Sequence, residues 1–176
     1  GEKAADALRI NWTKNASADG YILEMYQGGK WVCVAKITNN STTTFRKTGL
    51  EVSTAYKFRI KAYKMYDITA VYSAYSATLS ANTTPSDMSG YKVRSLSSTS
   101  VTLQWNKNTS ATGYELQRWY GNKWTMLANI AQNSATTYTV RNLKAGTAGY
   151  RFRIRAYKTY GSTKQYGSWS NEVKVN

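Results

Sequence analysis

The sequence has no histidine, and its 176 residues include only one cysteine and one proline. The lack of histidine excludes catalysis by Ser-His-Asp or Cys-His groups and removes the most common metal ligand. A single cysteine also excludes any disulfide within the chain. Cys33 lies in the alternating segment 31–35, and free cysteine packs as a small hydrophobic residue. We therefore expect its thiol to be buried in a core.

Acidic side chains are scarce relative to basic ones. The chain has 24 Lys and Arg against 9 Asp and Glu, a net charge of +15. Residues 85–176 hold 13 basic and 3 acidic side chains, which places +10 of this charge in the second half. Such a surface attracts anionic polymers in general without selecting one. No apolar run approaches the roughly 18 residues that a membrane span needs, so we expect no membrane insertion.

The chain repeats itself after 93 positions, about the size of one small β-sandwich. The matching motifs are Trp12-Thr-Lys-Asn15 with Trp105-Asn-Lys-Asn108, Asp19-Gly20-Tyr21 with Thr112-Gly113-Tyr114, and Gly29-Lys30-Trp31 with Asn122-Lys123-Trp124. One residue is then inserted in the second copy, and segment 56–64 matches 150–158 at a spacing of 94. We predict two homologous domains, 1–84 and 85–176, that join near Pro85.

Within each copy, short alternating runs are separated by turn residues, which is a strand pattern. In the second copy, strands are predicted near 91–96, 100–106, 113–120, 123–129, 136–141, 149–158 and 168–175. Gly28-Gly29 and Gly121-Asn122 are typical of hairpin turns. Seven short strands favour an all-β sandwich, and the pattern alone leaves a closed barrel open as the alternative.

The second copy contains a series of motifs in a fixed order. They are Val101-Thr-Leu-Gln-Trp105, Gly113-Tyr-Glu-Leu116, Thr137-Tyr-Thr-Val140, Leu143, Tyr150-Arg-Phe-Arg-Ile-Arg-Ala156 and Trp169-Ser-Asn-Glu-Val173. This order resembles that of a fibronectin type III domain. In that family a tryptophan of strand B anchors the core, and a leucine and a tyrosine before strand F form the tyrosine corner. The matching residues are Trp12, Leu50 and Tyr56 in the first copy and Trp105, Leu143 and Tyr150 in the second. The resemblance implies two tandem immunoglobulin-like sandwiches in which these aromatic side chains are buried.

The variant with Asp-Gly-Tyr and Gly-Lys-Trp is similar to modules in surface and secreted proteins of Gram-positive bacteria. In those proteins such modules accompany glycoside hydrolases, carbohydrate-binding modules and cell-wall proteins. The first copy departs from the pattern because only 11 residues precede Trp12. We expect its strand A to be missing or to be a short strand within Gly1–Asp6, and a missing strand would leave an unpaired edge.

Strand F of each copy alternates basic and apolar residues, which predicts a row of exposed, outward-facing cations. The rows are Lys57, Arg59 and Lys61 in the first copy and Arg151, Arg153 and Arg155 in the second. Aromatic rings from the neighbouring strand would stack on these cations, namely Tyr72 and Tyr75 or Tyr166 and Trp169. The segment Gly167-Ser-Trp169-Ser resembles the Trp-Ser motif of cytokine-receptor modules, in which strand-F arginines are intercalated in this way. Glu24 or Glu115 on strand C would pair with the row from the other side.

The row has two interpretations. One is a structural ladder of the protein's own side chains. The other is a cationic stripe that binds teichoic acid, an acidic glycan or nucleic acid. We expect no nucleic-acid binding, because no motif of that kind is present.

Exposed aromatic residues at the hairpin turns form a second candidate site. Tyr26 and Trp31 flank the first turn, and Trp119, Tyr120 and Trp124 flank the second. Exposed aromatic patches often mark binding sites, and these rings would stack on sugars. The alternative is a hydrophobic rim over the sheet, which is favoured because Trp31 and Trp124 belong to the repeat itself.

Catalytic and metal-binding functions have little support in the sequence. None of the acidic residues recurs at an equivalent repeat position, and neither EF-hand nor cysteine-cluster spacing is present. We therefore expect no enzyme, no cofactor and no metal.

Gly1 does not resemble a natural start, so we expect a segment of a longer extracellular bacterial protein, secreted or attached to the cell surface. In it, the tandem domains would serve as a spacer between functional domains of the same polypeptide. The alternative is a module that binds a polysaccharide or an anionic cell-wall polymer.

Overall fold

The computed structural model describes residues 4–144 and 149–175, and these form fifteen β-strands and no helix. The chain divides between Thr83 and Thr84 into two compact units, whereas the sequence prediction placed the division between Thr84 and Pro85. Each unit contains two antiparallel sheets whose apolar faces enclose a core. The predicted all-β fold of two sandwiches is thereby confirmed.

The first unit has a small sheet and a large one. Its strands are β1 (Leu8–Asn11), β2 (Gly20–Gln27), β3 (Lys30–Ile37), β4 (Thr44–Lys47), β5 (Ala55–Tyr66), β6 (Thr69–Tyr72) and β7 (Leu79–Asn82). Strands β1 and β4 form the small sheet; the large sheet has the order β3-β2-β5-β6, and β7 pairs with β5 as well. Leu8 and Ile10 of β1 belong to one core cluster with Leu23 of β2 and Phe58 of β5. These positions alternate along their strands with outward residues, as a half-buried strand requires.

The second unit repeats this plan with one more strand. Its strands are β8 (Lys92–Leu96), β9 (Val101–Gln104), β10 (Gly113–Tyr120), β11 (Lys123–Ile130), β12 (Thr137–Val140), β13 (Tyr150–Tyr160), β14 (Thr163–Tyr166) and β15 (Val173–Val175). The small sheet has the order β12-β9-β8; the large sheet has the order β11-β10-β13-β14, and β15 also pairs with β13. Val101, Leu103, Leu116, Phe152 and Ile154 are fully buried between the two sheets.

Strand β8 is the strand A of the second unit, and residues 4–83 contain no counterpart of it. Residues 4–6 form no strand, and residues 1–3 of the predicted short strand lie outside the described part of the chain. In the second unit, Met88, Tyr91 and Val93 from this region pack against the core. In the first unit, Trp12 instead lines an open cavity of about 210 Å³.

The burial of the four signature aromatic residues differs from the prediction in three cases. Trp105 is buried, with 3% of its surface exposed, but Trp12, Tyr56 and Tyr150 are half-buried. The hydroxyl of Tyr56 accepts a hydrogen bond from the Glu51 N–H at 2.7 Å, and the hydroxyl of Tyr150 accepts one from the Lys144 N–H at 3.0 Å. Both tyrosine rings therefore lie at the border of the sandwich, where their hydroxyls hold a loop.

The expectation of a buried Cys33 is wrong, because its side chain is exposed. The pairing of β2 with β3 shifts between Leu23 and Glu24, so Leu23 faces Ala35 while Glu24 faces Cys33. This bulge places both Val34 and Ala35 against the core and leaves Cys33 on the outer face. A bulge of one residue reverses the alternation on which the expectation rested. Met126, which is 67% exposed, holds the same place in the second unit.

The end of each large sheet contains a hairpin that the strand pattern did not predict. Strands β5 and β13 run on to Tyr66 and Tyr160 and turn directly into β6 and β14. The predicted last strand at 168–175 is formed only at Val173–Val175. Residues 167–172 connect β14 to β15 and belong to no strand. This irregular segment contains Trp169.

Candidate functional site

The outer face of the second large sheet carries an alternating stack of cations and aromatic rings. Strand β13 turns Phe152 and Ile154 into the core, and the alternation of the strand therefore turns Arg151, Arg153 and Arg155 outward. In order, the stack contains Trp119, Arg151, Trp124, Arg153, Trp169, Arg155 and Tyr166. We call this set the second ladder.

Each guanidinium of the second ladder lies between two rings. The Cζ of Arg153 is 4.3 Å from the Trp124 ring centre and 4.1 Å from that of Trp169. The Cζ of Arg155 is 4.3 Å from Trp169 and 3.9 Å from Tyr166. These separations are well within the roughly 6 Å over which a cation is attracted to a ring face.

Each arginine of the second ladder also has a polar partner. Arg151 donates from Nε and Nη2 to the two carboxylate oxygens of Glu172, at 2.8 and 2.7 Å. Arg153 donates twice to the side-chain oxygen of Gln117.

Arg155 donates to Glu115 at 2.9 Å, and the Glu115 residue is only 7% exposed. The guanidinium groups are therefore half-buried rather than exposed as predicted, because rings and acceptors cover them.

The pKa values of Arg151, Arg153 and Glu172 are shifted by their charged partners and by burial. The hydrogen bond to Glu172 raises the pKa of Arg151, and the same bond lowers the pKa of Glu172. Desolvation lowers the pKa of Arg153, and repulsion from Arg155 lowers it further.

The first ladder, on the first unit, is shorter. It contains Trp31, Arg59, Tyr75, Lys61 and Tyr72. The Cζ of Arg59 is 3.7 Å from the Tyr75 ring centre and 4.4 Å from that of Trp31, and the Nζ of Lys61 is 4.1 Å from Tyr72. Lys57 is exposed and is not part of the stack.

Glu24 is the acidic partner of the first ladder. Arg59 donates to it from Nε at 2.8 Å, and the Tyr75 hydroxyl donates to its other oxygen at 2.8 Å. Desolvation by burial raises the pKa of Glu24, but the hydrogen bonds from Arg59 and Tyr75 outweigh it, and the net pKa lies below its ordinary value.

A serine in the irregular segment of each unit holds the aromatic ring beside the cations. The Ile154 N–H donates to the Ser170 hydroxyl at 3.1 Å, and the Ile60 N–H donates to the Ser76 hydroxyl at 3.1 Å. These bonds replace the strand pairing that the segment lacks. They fix the neighbouring residues Trp169 and Tyr75 over the guanidinium groups.

The predicted glycan-contact residues fall into three groups in the structure. Trp31, Trp119 and Trp124 belong to the ladders. Tyr26 is 43% exposed and meets Trp31 edge to face, with ring centres 5.3 Å apart. Tyr120 is 66% exposed, but it alternates with Trp119 along β10 and therefore faces the other side of the sheet.

The sequence reasoning missed two polar members of the second ladder. Gln117 and Glu172 each bind an arginine, yet neither recurs in the first unit. Their repeat partners are Glu24 and Thr78, at spacings of 93 and 94. The pairing of strands β10 and β13 places Gln117 opposite Arg153, so a register prediction could have identified Gln117 as a partner. Glu172 lies outside the strands, and no such prediction reaches it.

Two further features of the described residues bear on chemistry. No group of three or more Cys, Asp or Glu side chains within residues 4–144 and 149–175 is placed to hold a metal ion. In the same residues, no helix is long and apolar enough to cross a membrane.

Comparisons with known proteins agree with this architecture. A family model, the fibronectin type III domain, matches residues 83–175, slightly more than half of the chain. Exoglucanase B of Cellulomonas fimi is 33% identical to the chain, in a match that covers 87% of this chain and 14% of the relative. The chain thus spans only a small part of that relative's length.

The two-domain fibronectin type III segment of chicken tenascin has a similar fold. It superimposes with a TM-score of 0.55 at 19% identity, and the match covers 99% of this chain and 95% of the tenascin segment.

Proposed function

This chain belongs to the fibronectin type III family, and we propose that it is a non-catalytic spacer or scaffold segment of a larger, secreted or surface-attached bacterial protein. The resemblance drawn from the sequence motifs is confirmed by the family match and the bacterial relative. The relative is named an exoglucanase, but this chain matches only 14% of it. A spacer between functional domains is expected to form only a small part of a long polypeptide, as the matched region does in this relative.

One observation carries the spacer proposal: most of the conspicuous side chains on the outer sheet faces are bound to one another. Three arginines of the second ladder each contact two rings and one polar partner, so a ligand would have to displace contacts already made. A sheet stabilised by such cation–π contacts would suit a sandwich whose role is to hold the domains on either side of it apart. The partners of such a segment are the flanking domains of its own polypeptide.

Binding to carbohydrate is the second candidate, favoured by the exposed ring of Tyr26, which lies beside Trp31 of the first ladder. The test is retention of the full chain on starch, cellulose and xylan. A spacer is expected to pass unretained, and any weak retention on a charged matrix should vanish at high salt, which screens exposed charges. Salt-resistant retention on a neutral polysaccharide that Tyr26→Ala abolishes would instead support the binding function. A parallel assay for released reducing sugar is expected to give none.

A further inference from the structure

The two units differ at the end of the ladder nearest the hairpin turn. In the second unit, this end consists of Trp119 and Trp124 with Arg151 and Glu172. The two tryptophan rings meet edge to face, 5.4 Å apart with an interplanar angle of 70°. The Cζ of Arg151 is 4.6 Å from one ring centre and 5.5 Å from the other, and the Glu172 carboxylate is bound to this guanidinium at 2.7 Å.

The first unit keeps the aromatic corner but not the ion pair. Tyr26 and Trp31 meet 5.3 Å apart at 67°, nearly the geometry of Trp119 and Trp124. Lys57 stands in the place of Arg151, and Thr78 in the place of Glu172. Within the described residues, Lys57 makes no ion pair or side-chain hydrogen bond, and its ammonium group is not stacked on either ring.

In the first unit, an open cavity lies at the place where the second unit has the Glu172 carboxylate. It measures about 350 Å³ and is lined by Tyr26, Trp31, Lys57, Thr78 and Ser80. This volume is within the range of small-ligand sites, of roughly 300–1,000 Å³. Lys57 pairs directly with Ser80 across β5 and β7, so the cation and the hydroxyl face the same side of the sheet.

We propose that this cavity binds a carboxylated sugar, a uronic acid residue of an acidic polysaccharide. The carboxylate would occupy the place that Glu172 fills in the second unit and would bind Lys57. The sugar ring would pack against Tyr26 and Trp31, while Thr78 and Ser80 would exchange hydrogen bonds with its hydroxyls. The inference narrows the carbohydrate-binding candidate to one site and one ligand class, and it does not depend on the spacer role.

A carboxylate is favoured over a phosphate because the Glu172 carboxylate of the second unit binds Arg151, the cation that matches Lys57. Arg151 lies beside Trp119 and Trp124, which match Tyr26 and Trp31. An aromatic corner also offers a face for a sugar ring, which a bare phosphate chain would leave unused. The site is confined to the first unit, since Glu172 already occupies the second. Of the two hairpin corners in the described part of the chain, we therefore expect the first alone to offer this site.

Titration calorimetry of the full chain with tetragalacturonate tests the proposal, with cellotetraose and inorganic polyphosphate as the other ligands. One molecule of tetragalacturonate is expected to bind per chain, and cellotetraose should bind at least about tenfold more weakly. Lys57→Gln should weaken binding by about tenfold or more, as loss of a charged hydrogen bond does. Thr78→Glu should weaken it similarly, because the new carboxylate would hold Lys57 as Glu172 holds Arg151.

Lys107→Gln is the matched control, since it removes one exposed charge from the second unit and should change the affinity by less than about twofold. Circular dichroism and thermal unfolding establish that each variant is folded. Equal weakening by Lys57→Gln and Lys107→Gln would overturn the proposal in favour of diffuse charge attraction. Tighter binding of polyphosphate that depends on Lys57 would overturn it in favour of a phosphate site. Neither result would bear on retention by neutral polysaccharides, which tests the spacer role.

Discussion

The guanidinium of Arg153 lies between the indole rings of Trp124 and Trp169, with its Cζ at 4.3 and 4.1 Å from their centres. Trp124 comes from β11 and Trp169 from the irregular segment before β15. A strand-F arginine thus joins the two margins of the large sheet.

Arg153→Ala should lower the free energy of unfolding of the second unit by about 1–2 kcal/mol, since each cation–π contact contributes roughly 0.5–1 kcal/mol. Urea unfolding followed by circular dichroism measures the loss. Arg94→Ala is the control, because Arg94 is exposed on β8 and should change stability by less than about 0.5 kcal/mol. Unchanged stability of Arg153→Ala would show that the stacking contributes nothing.

The two strand-B tryptophans should differ in their contribution to stability. Trp105→Ala is expected to cost about 3–5 kcal/mol, because it empties a closed core. Trp12→Ala should cost clearly less, since Trp12 is half-buried and already borders an open cavity. Urea unfolding of both variants makes the comparison. A loss below about 1 kcal/mol for Trp105→Ala, or equal losses at the two sites, would contradict the difference in packing.

Gly113→Ala should destabilise the second unit by about 1–3 kcal/mol, as overpacking does. A Cβ at this position would collide with the carbonyl oxygen of Ile130 and lie 2.7 Å from the Tyr157 hydroxyl. The carbonyl belongs to the neighbouring strand, so it cannot move without disturbing the pairing of β10 with β11. Gly20 has the same surroundings in the first unit, and Gly20→Ala should behave alike. Thermal unfolding that leaves either variant as stable as the parent would refute this account of the repeated glycine.

Acid should weaken the first unit through Glu24. Its pKa is lower in the folded protein than the ordinary value of 4.5, so the folded state binds fewer protons than the unfolded state in that range. The resulting stabilisation is complete above about pH 4.5 and is lost as the pH falls through the lower, folded-state pKa. Urea midpoints measured at pH 7 and pH 3 should therefore differ less in Glu24→Gln than in the parent chain. A variant that keeps the full acid-induced loss would disprove this assignment.

Most of the fold and the main members of the ladders follow from local patterns. The repeat spacing, the turn residues and the alternation along strand F predict two sandwiches with outward cations at 57, 59 and 61 and at 151, 153 and 155. Alternation predicts which residues face outward because neighbouring side chains of a strand must face opposite sides of the sheet. The same reasoning explains why the error at Cys33 arose, since a single bulge reverses the facing.

Other features depend on contacts between residues that are distant along the chain. In the irregular segments after β6 and β14, the hydroxyls of Ser76 and Ser170 accept hydrogen bonds from the N–H groups of Ile60 and Ile154, and no periodic pattern in the sequence marks these contacts. Whether a strand-F cation is covered or open depends on residues far from it in sequence, such as Glu172 for Arg151 and Thr78 for Lys57. Where a strand has no bulge, local sequence therefore sets which side of a sheet each residue occupies, because neighbouring side chains along the backbone face opposite sides. Burial and partners, and with them the open corner beside Lys57, are set only when separate strands pack together.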